Sequence, residues 1–388
     1  MPRNEPNDLC PPVQYKPRRA ARQLSEAEIK AAVDRAEARS ILTANRLTDD
    51  PRLTASKLAP TQTNRRAFIA GLSGAAAWPA VARGQAPDYP ARQITLLAPW
   101  PAGGSIDTLC RALAPGLSER IGKPVVVENR PGAGSVIGTA ACARAAADGY
   151  TLVMAGSGSL AISATLYKKL PYDPAKDFAP IVLVAFIPFV LVVHPSLPVR
   201  SVPELVTYAR ENPIKLSYAS GGPGSPHQLY AELFKSLTGI EMLHVPYKGN
   251  APALTDVVAG HVALMFSDPV VALPQIRAAK LRALGVSSAA RLPTAPEIPP
   301  LAEAGVPGFD TAGWGMVVAP AGTPPGVVTR LHFELNGVLA ASELRRQIVE
   351  LGMVPAPNRS PEQLQDFINA EMLRWGKVVQ QAGLAGSE

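Results

Sequence analysis

The sequence of 388 residues is poor in the residue types that bind metals and carry out covalent chemistry. It contains three cysteines and five histidines. Aromatic residues make up 6% of the chain and charged residues 18%, against 47% hydrophobic residues, which excludes an intrinsically disordered chain and predicts a globular one. The histidines are scattered without metal-ligand spacing: His194, His227, His244, His261 and His332. We therefore expect neither a metal nor a cofactor.

The body of the chain also lacks an excess of basic residues. The formal net charge is +7, but residues 1–86 hold 14 Lys or Arg against 8 Asp or Glu, whereas residues 87–388 hold 24 against 23. A protein that binds nucleic acid needs a basic surface on its folded domain to neutralise phosphates. The near-neutral body therefore excludes nucleic acid as a partner.

Motifs for catalysis and nucleotide binding are missing as well. The body has no G-x-S-x-G nucleophile turn, and no Walker lysine follows its glycine-rich stretches. The stretch "GAGSVIG" has the spacing G-x-G-x-x-x-G and no acidic residue after the next strand, unlike a dinucleotide-binding turn. Ser225 and His227 stand two apart at a helix start, which favours a capping serine and a cleft-edge histidine over a catalytic pair. An exported hydrolase stays the least favoured alternative to a non-enzyme.

Two cysteines of the body, Cys110 and Cys142, fall on predicted helices that would neighbour each other on one face of a sheet. An oxidising compartment permits a disulfide between them. The alternative, which we favour, is two unpaired cysteines packed as small apolar residues.

The first 86 residues resemble a targeting segment rather than a folded domain. The stretch "TNRRAFIAGLSGAAAWPAVARGQA" places Arg65 and Arg66 before a short apolar segment and small residues suited to cleavage after Ala82 or Ala86. We interpret residues 61–86 as an export signal, of the twin-arginine type or of the general secretory type, and expect a periplasmic protein. Residues 1–60 are predicted to be a disordered extension or the product of a misplaced translation start.

Strand-like and helix-like stretches alternate from Gln93 onward. The order "QITLLAP", "SIDTLCRALAPGLSERIG", "PVVVEN", "SVIGTAACARAAA", "YTLVMAG" predicts a parallel sheet covered by helices on both faces. A second alternating run ends near "VALMFSD", and "GWGMVVAP" then returns to strand before closing helices over Pro325–Leu351 and Pro361–Ala382. Two such runs predict an α/β protein with two lobes, crossed twice by the chain, around a cleft at the carboxyl ends of the strands.

Four predicted strand ends share a composition of glycine, serine and no charge. They are "PAGGS" (101–105), "RPGAGS" (130–135), "AGSGS" (155–159) and "ASGGPGS" (219–225). Successive N–H groups in such turns, with the positive end of a following helix, bind an anion without a charged side chain. The pattern predicts a site for a carboxylate or similar oxyanion. We expect Asp107, in the first turn of a helix, to stabilise that helix or fix the loop before it.

The chain resembles the substrate-binding receptors of tripartite tricarboxylate transporters, the Bug proteins, from Tyr89 to Leu384. The resemblance is carried by the blocks "YPARQITLLAPWPAGGSIDTLCRALAPGLSERIGKPVVVENRPGAGSVIGT", "LYKKLPYDPAKDFAPI", "LSYASGGPGSPHQLYAELF" and "HVPYKGNAPALTDVVAGHVALMF". It implies a type II periplasmic-binding-protein (Venus flytrap) fold. We expect residues 87–190 plus 312–388 to form lobe 1 and residues 191–311 to form lobe 2, with two crossovers.

The resemblance further implies a small organic carboxylate, held between a loop of each lobe and released unaltered. The partners it implies are the membrane permease subunits of such a transporter or, as an alternative, a membrane sensor kinase that this protein serves as an adaptor; we expect a monomer. The implied ligand-binding residues are Pro101, Ala102, Gly103, Gly104, Ser105, Asp107, Ala133, Gly134, Ser157, Ser159, Ser220, Gly221, Gly222, Gly224, Ser225, His227 and Trp314. Residues 247–249 and Asp268 are weaker candidates, because packing between elements explains them equally well. Ser135 and the stretch 157–163 depart from the family's common pattern, so the distal pocket is expected to differ.

Overall fold

A computed structural model of the chain describes residues 89–212 and 215–388. The predicted extension (1–60) and export signal (61–86) lie outside these residues and stay predictions. None of the helices in the described part is long and apolar enough to cross a membrane.

The first sheet has six strands, namely β1 (Ile94–Ala98), β2 (Val125–Asn129), β3 (Thr151–Gly156), β4 (Phe178–Ile187), β10 (Gly313–Pro320) and β11 (Val354–Pro355). Their order across the sheet is β11-β4-β10-β3-β1-β2. The strands β2, β1 and β3 pair in parallel, while β10 is antiparallel to β3 and β4. Every residue of β10 is buried, as expected for a central strand covered on both faces.

Helices cover the first sheet. They are α1 (Ser105–Ile121), α2 (Val136–Ala143), α3 (Ser163–Leu166, after a π-helical turn over Gly158–Ile162), α8 (Pro325–Ala340), α9 (Ser342–Glu350) and α10 (Pro361–Gln381). Helix α10 begins with a capping box, in which Ser360 and Gln363 satisfy each other's backbone N–H groups. Helix α1 ends at Gly122, whose left-handed conformation (φ 65°) terminates the helix.

The second sheet has five strands, namely β5 (Val190–Val193), β6 (Ser217–Ser220), β7 (Leu243–Pro246), β8 (Leu264–Ser267) and β9 (Arg282–Val286). Their order across the sheet is β7-β6-β8-β5-β9. Its helices are α4 (Val202–Glu211), α5 (Pro226–Thr238), α6 (Asn250–Val258) and α7 (Pro269–Arg277). Strands β7, β6 and β8 are parallel, and β5 lies antiparallel between β8 and β9.

The chain passes from the first sheet to the second after Ile187 and returns before Gly313. Ser287 ties the two passages together. Its hydroxyl accepts a hydrogen bond from Phe189 N (2.8 Å) and donates to Thr311 O (2.7 Å), and its amide donates to Phe189 O (2.8 Å).

Away from these passages, Tyr230 of α5 stacks on Trp375 of α10 with ring centroids 5.4 Å apart. The two chain passages are therefore hydrogen-bonded to each other through Ser287, and an aromatic contact joins helices of the two sheets. The predicted lobe limits stay predictions, because a sheet boundary alone does not define a moving body.

Three expectations can be compared with these elements. The α/β fold with two sheets is confirmed, but the sheets are mixed rather than parallel, because β10 and β5 enter directly from the other sheet without a crossover helix. The single helix predicted over Pro325–Leu351 is wrong, since Ala341 adopts an extended conformation (φ −63°, ψ 126°) that ends α8 and precedes α9. Cys110 and Cys142 are unpaired and buried, and burial raises the pKa of Cys142 to about 12.

Candidate functional site

A cavity lies where loops of the two sheets meet, with about 570 Å³ of space between protein atoms, part of it open to solvent. Apolar side chains form most of its wall, among them Trp100, Ile106, Phe189 and Trp314. Among the described residues that line the cavity, none is a lysine or an arginine. The cavity can therefore hold a small molecule with an apolar body, and any positive potential must come from the main chain or a histidine.

The N-termini of four helices meet at this cavity. The lining includes the first residues of α1 (Ser105 and Ile106), α5 (Pro226 and His227) and α6 (Asn250 and Ala251), and also Asp268, which immediately precedes α7. The residues immediately before α1, α6 and α7 make no capping hydrogen bond with their own side chains. The N–H groups of a helix's first turn and the positive end of its dipole attract an anion. The arrangement favours a carboxylate without any cationic side chain.

Two buried polar side-chain atoms of residues that line the cavity make no hydrogen bond within the described part of the chain. They are Ser105 Oγ and Asn250 Nδ2, on residues that are no more than 6% exposed. Buried polar atoms are almost always hydrogen-bonded in folded proteins, because leaving one unpaired costs about 1–3 kcal/mol. Their meeting at one cavity indicates a polar ligand that would supply the missing partners.

Asp268 places a carboxylate at the edge of the same cavity. Its Oδ2 accepts a hydrogen bond from Ser105 N (3.1 Å), across the two sheets, and its Oδ1 lies 3.1 Å from His227 Nε2. Burial by itself raises the pKa of Asp268, but the bonds from His227 and Ser105 outweigh it, so the pKa lies below its usual value. The carboxylate is therefore ionised at neutral pH.

Residues 101–105, the first loop, open onto the cavity. Asp107 holds this loop in place, because its Oδ2 accepts from Gly103 N (2.9 Å) and its Oδ1 from Asn129 Nδ2 (2.8 Å). Burial opposes ionisation of Asp107, yet these bonds and the ion pair with Arg111 hold its pKa below the usual range. Asp107 therefore fixes the loop and does not itself face the cavity.

The second loop, residues 219–225, is held mainly by hydrogen bonds between its own residues. Ser225 Oγ donates to Gly222 O (2.6 Å) and accepts from Gln228 N at the start of α5. Ser220 Oγ accepts from Gly222 N (3.1 Å) and lies 2.6 Å from His244 Nε2. This loop contributes no residue to the cavity wall; only Pro226 and His227, which follow it, do so.

Less than half of the sequence-predicted binding residues meet at the cavity. Those that line it are Pro101, Ala102, Gly104, Ser105, Ser157, His227 and Trp314, together with the weaker candidate Asp268. Those that do not are Gly103, Asp107, Ala133, Gly134, Ser159, Ser220, Gly221, Gly222, Gly224 and Ser225.

The residues outside the cavity mostly support the loops. Gly134 has a φ of 57°, and a Cβ placed on it would lie 2.7 Å from Pro223 O, so this glycine permits a close approach between loops of the two sheets. Ser159 Oγ bonds weakly to its own turn at Gly156. Tyr247 donates to Asp256 instead of facing the cavity.

Sequence reasoning missed several lining residues. They are Trp100, Ile106, Gly156, Gly158, Ile187, Phe189, Pro226, Asn250, Ala251 and Gly313. Asn250 could have been predicted, because it follows the weakly favoured stretch 247–249 and begins a helix. Ile187 and Phe189 could not have been predicted, since only the pairing of the chain segments that cross between the sheets brings them to the cavity.

The second loop does contain a serine within reach of a histidine, which sequence reasoning did not find. Ser220 Oγ is 2.6 Å from His244 Nε2, and His244 stacks on Tyr218. Burial lowers the pKa of His244. Ser220 is completely buried and lies outside the cavity wall, so a substrate in the cavity has no path to its oxygen. The hydrogen bond between Ser220 and His244 stabilises the second loop. Within the described residues, no group of His, Cys, Asp or Glu side chains has the arrangement of a metal site.

Comparison with known proteins gives the same family from sequence and from structure. The sequence model described as "Tripartite tricarboxylate transporter family receptor" matches residues 109–384. The chain is 38% identical to Protein BugT of Bordetella pertussis over 296 residues, which cover 76% of this chain and 90% of BugT.

Two solved structures of Rhodopseudomonas palustris proteins share the fold. Rpa4515 with adipate has a TM-score of 0.74 and 41% identity, over 77% of this chain and 99% of that protein. MatC with bound malate has a TM-score of 0.71 and 32% identity, over 75% of this chain and 100% of MatC. The family model describes a receptor. The chain belongs to the tripartite tricarboxylate transporter receptor family.

Proposed function

We propose that this protein is a periplasmic solute-binding receptor of a tripartite tricarboxylate transporter-type uptake system. It binds a small carboxylate-bearing metabolite in the cavity between its sheets and delivers it, chemically unchanged, to the membrane permease. The observation that carries the proposal is the meeting of four helix N-termini with the unpartnered atoms Ser105 Oγ and Asn250 Nδ2. The carboxylates bound by Rpa4515 and MatC support the choice of ligand class.

Binding works through complementarity between the ligand and donors from both sheets. Ser105 comes from the first sheet's side, and Asn250 comes from the second. A ligand carboxylate that bonds to both sides stabilises the closed arrangement, and its loss lets the sheets separate. Each hydrogen bond to an ionised carboxylate contributes about 1.5–3 kcal/mol. Two of them fall short of the about 8 kcal/mol of micromolar binding, so burial of the ligand's apolar body against the cavity wall must supply the rest.

A thermal-shift and calorimetry panel tests the proposal with the purified protein. We expect at least one of adipate, malate, succinate or an aromatic monocarboxylate to raise the melting temperature, because a ligand specific to the folded state stabilises it. The corresponding methyl esters serve as controls and should have no effect. Recovery of a chemically altered solute after incubation, or esters that bind as tightly as the acids, would overturn the proposal.

A further inference from the structure

The cavity contains an ionised acceptor as well as unpartnered donors. Asp268 is 8% exposed and lines the cavity beside Ser105 and Asn250. Among the described lining residues it is the single acidic one, and the one basic side chain beside it is His227, whose Nε2 lies 3.1 Å from Asp268 Oδ1. A second carboxylate brought by a ligand would therefore meet a negative charge already present, which weakens binding unless something offsets the repulsion.

The carboxylate oxygens of Asp268 can accept further hydrogen bonds. Each oxygen takes part in one hydrogen bond, with Ser105 N and with His227 Nε2, whereas an ionised carboxylate offers about four acceptor sites in all. Its neighbours Ser105 Oγ and Asn250 Nδ2 are donors without partners. The wall thus presents donors for an anion and, beside them, an acceptor for an O–H or N–H group.

We propose that Asp268 selects carboxylates that carry a hydrogen-bond donor next to the carboxylate, namely 2-hydroxy and 2-amino acids, over plain alkyl carboxylates of the same length. This inference rests on the proposed function. The ligand carboxylate takes the donors of α1 and α6, and its hydroxyl or ammonium group donates to Asp268, which turns a repulsive neighbour into a partner. A plain carboxylate has no group to offer and meets the repulsion alone.

Matched ligand pairs test the inference, because the members of each pair differ only at the second carbon. The pairs are malate with succinate, and 2-aminoadipate with adipate, each titrated by calorimetry into the wild type, Asp268→Asn and Asp366→Asn. The first variant keeps the side-chain shape and an acceptor for Ser105 N. Asp366 lies exposed on α10, away from the cavity, and its variant is the charge-matched control.

We expect the wild type and Asp366→Asn to bind the donor-bearing member of a pair at least ~10-fold more tightly. In Asp268→Asn this ratio should fall below ~3-fold, mainly because the plain carboxylate binds better. The melting temperature without ligand reports whether the variant is folded; if it is not, Asp268→Ser replaces it.

Three results would overturn the inference while leaving the proposed function in place. They are equal affinities within both pairs in the wild type, an unchanged ratio in Asp268→Asn, or an equal gain for both members, which would make Asp268 a general competitor for the anion site. If none of the four acids binds the wild type while an aromatic monocarboxylate does, the inference is overturned and the proposed function stands; if no carboxylate binds at all, the result counts against the proposed function itself.

Discussion

The first loop (101–105) and the second loop (219–225) have nearly the same composition, yet they do different work. In the first, a hydrogen bond from Gly103 N to Asp107 shapes the loop, and Ser105 is left with an unpartnered hydroxyl at the cavity. In the second, the hydroxyls of Ser220 and Ser225 form hydrogen bonds with the backbone of Gly222, and no residue of the loop lines the cavity. Where a loop's polar groups are satisfied by neighbouring side chains outside it, its own serines stay available for a ligand.

The largest effect should come from filling the cavity beside the first loop. Gly104 has an extended backbone (φ −85°, ψ 174°) that any residue adopts, and a Cβ there would lie 3.5 Å from Asp268 Oδ2. Gly104→Phe should therefore fold but bind carboxylate at least ~100-fold more weakly, by calorimetry. The control is Gly326→Phe, on an exposed position of α8 with open space around it. Unchanged affinity in Gly104→Phe would mean that the ligand does not occupy this cavity.

The next largest effect should come from the place where the second loop meets the other sheet. A Cβ on Gly134 would lie 2.7 Å from Pro223 O, so Gly134→Ala should oppose closure and weaken binding by ~10-fold. Gly122→Ala is the matched control, because Gly122 also has a positive φ (65°) but open space around it. Both variants should lose stability through backbone strain. Only Gly134→Ala should lose affinity and show a larger radius of gyration in small-angle scattering.

Exchanging the serines one at a time sharpens the comparison between the loops. Ser105→Ala should weaken carboxylate binding by ~10-fold, the value of one hydrogen bond to an ionised carboxylate, without lowering the ligand-free melting temperature. Ser225→Ala removes a helix cap worth about 1 kcal/mol and should lower the melting temperature by about 2–4 °C, with little change in affinity. Finding the two effects reversed would contradict the roles assigned to the loops.

The smallest effect is a difference in how the two loops respond to acid. The folded-state pKa of Asp107 and that of His244 both lie below their unfolded values. For both groups the stabilisation is complete above the unfolded pKa and is lost as the pH falls through the folded one. The loss begins near pH 6.5 for His244 and near pH 4 for Asp107. Melting temperatures between pH 7.5 and 3 should show a flatter slope above pH 5 in His244→Gln and a flatter slope below pH 4 in Asp107→Asn. An identical profile in all three proteins would contradict both assignments.

The sequence predicted the α/β fold well because strand and helix patterns are local. Helix starts at Ser105 and Pro226 were visible from glycine-rich turns and a proline at the first helical position. The antiparallel pairing of β10 with β3 and β4 could not be predicted, because it depends on where the chain returns from the second sheet.

The candidate site was harder to predict than the fold, because composition does not reveal where a side chain points. Ser225 and Ser105 have the same neighbours in sequence terms, a glycine before and a helix after, yet one bonds to its own loop and the other faces the cavity. Asp268 was only a weak candidate, since its role depends on Ser105 and His227, which are far away in the chain.

The most direct test is a crystal structure of the protein soaked or co-crystallised with a carboxylate that binds in calorimetry. We predict that the ligand carboxylate lies in the cavity, within hydrogen-bond distance (about 2.7–3.2 Å) of Ser105 or Asn250, with main-chain N–H groups completing its shell. A ligand bound elsewhere at full occupancy, or one held by a lysine or arginine side chain, would contradict the account.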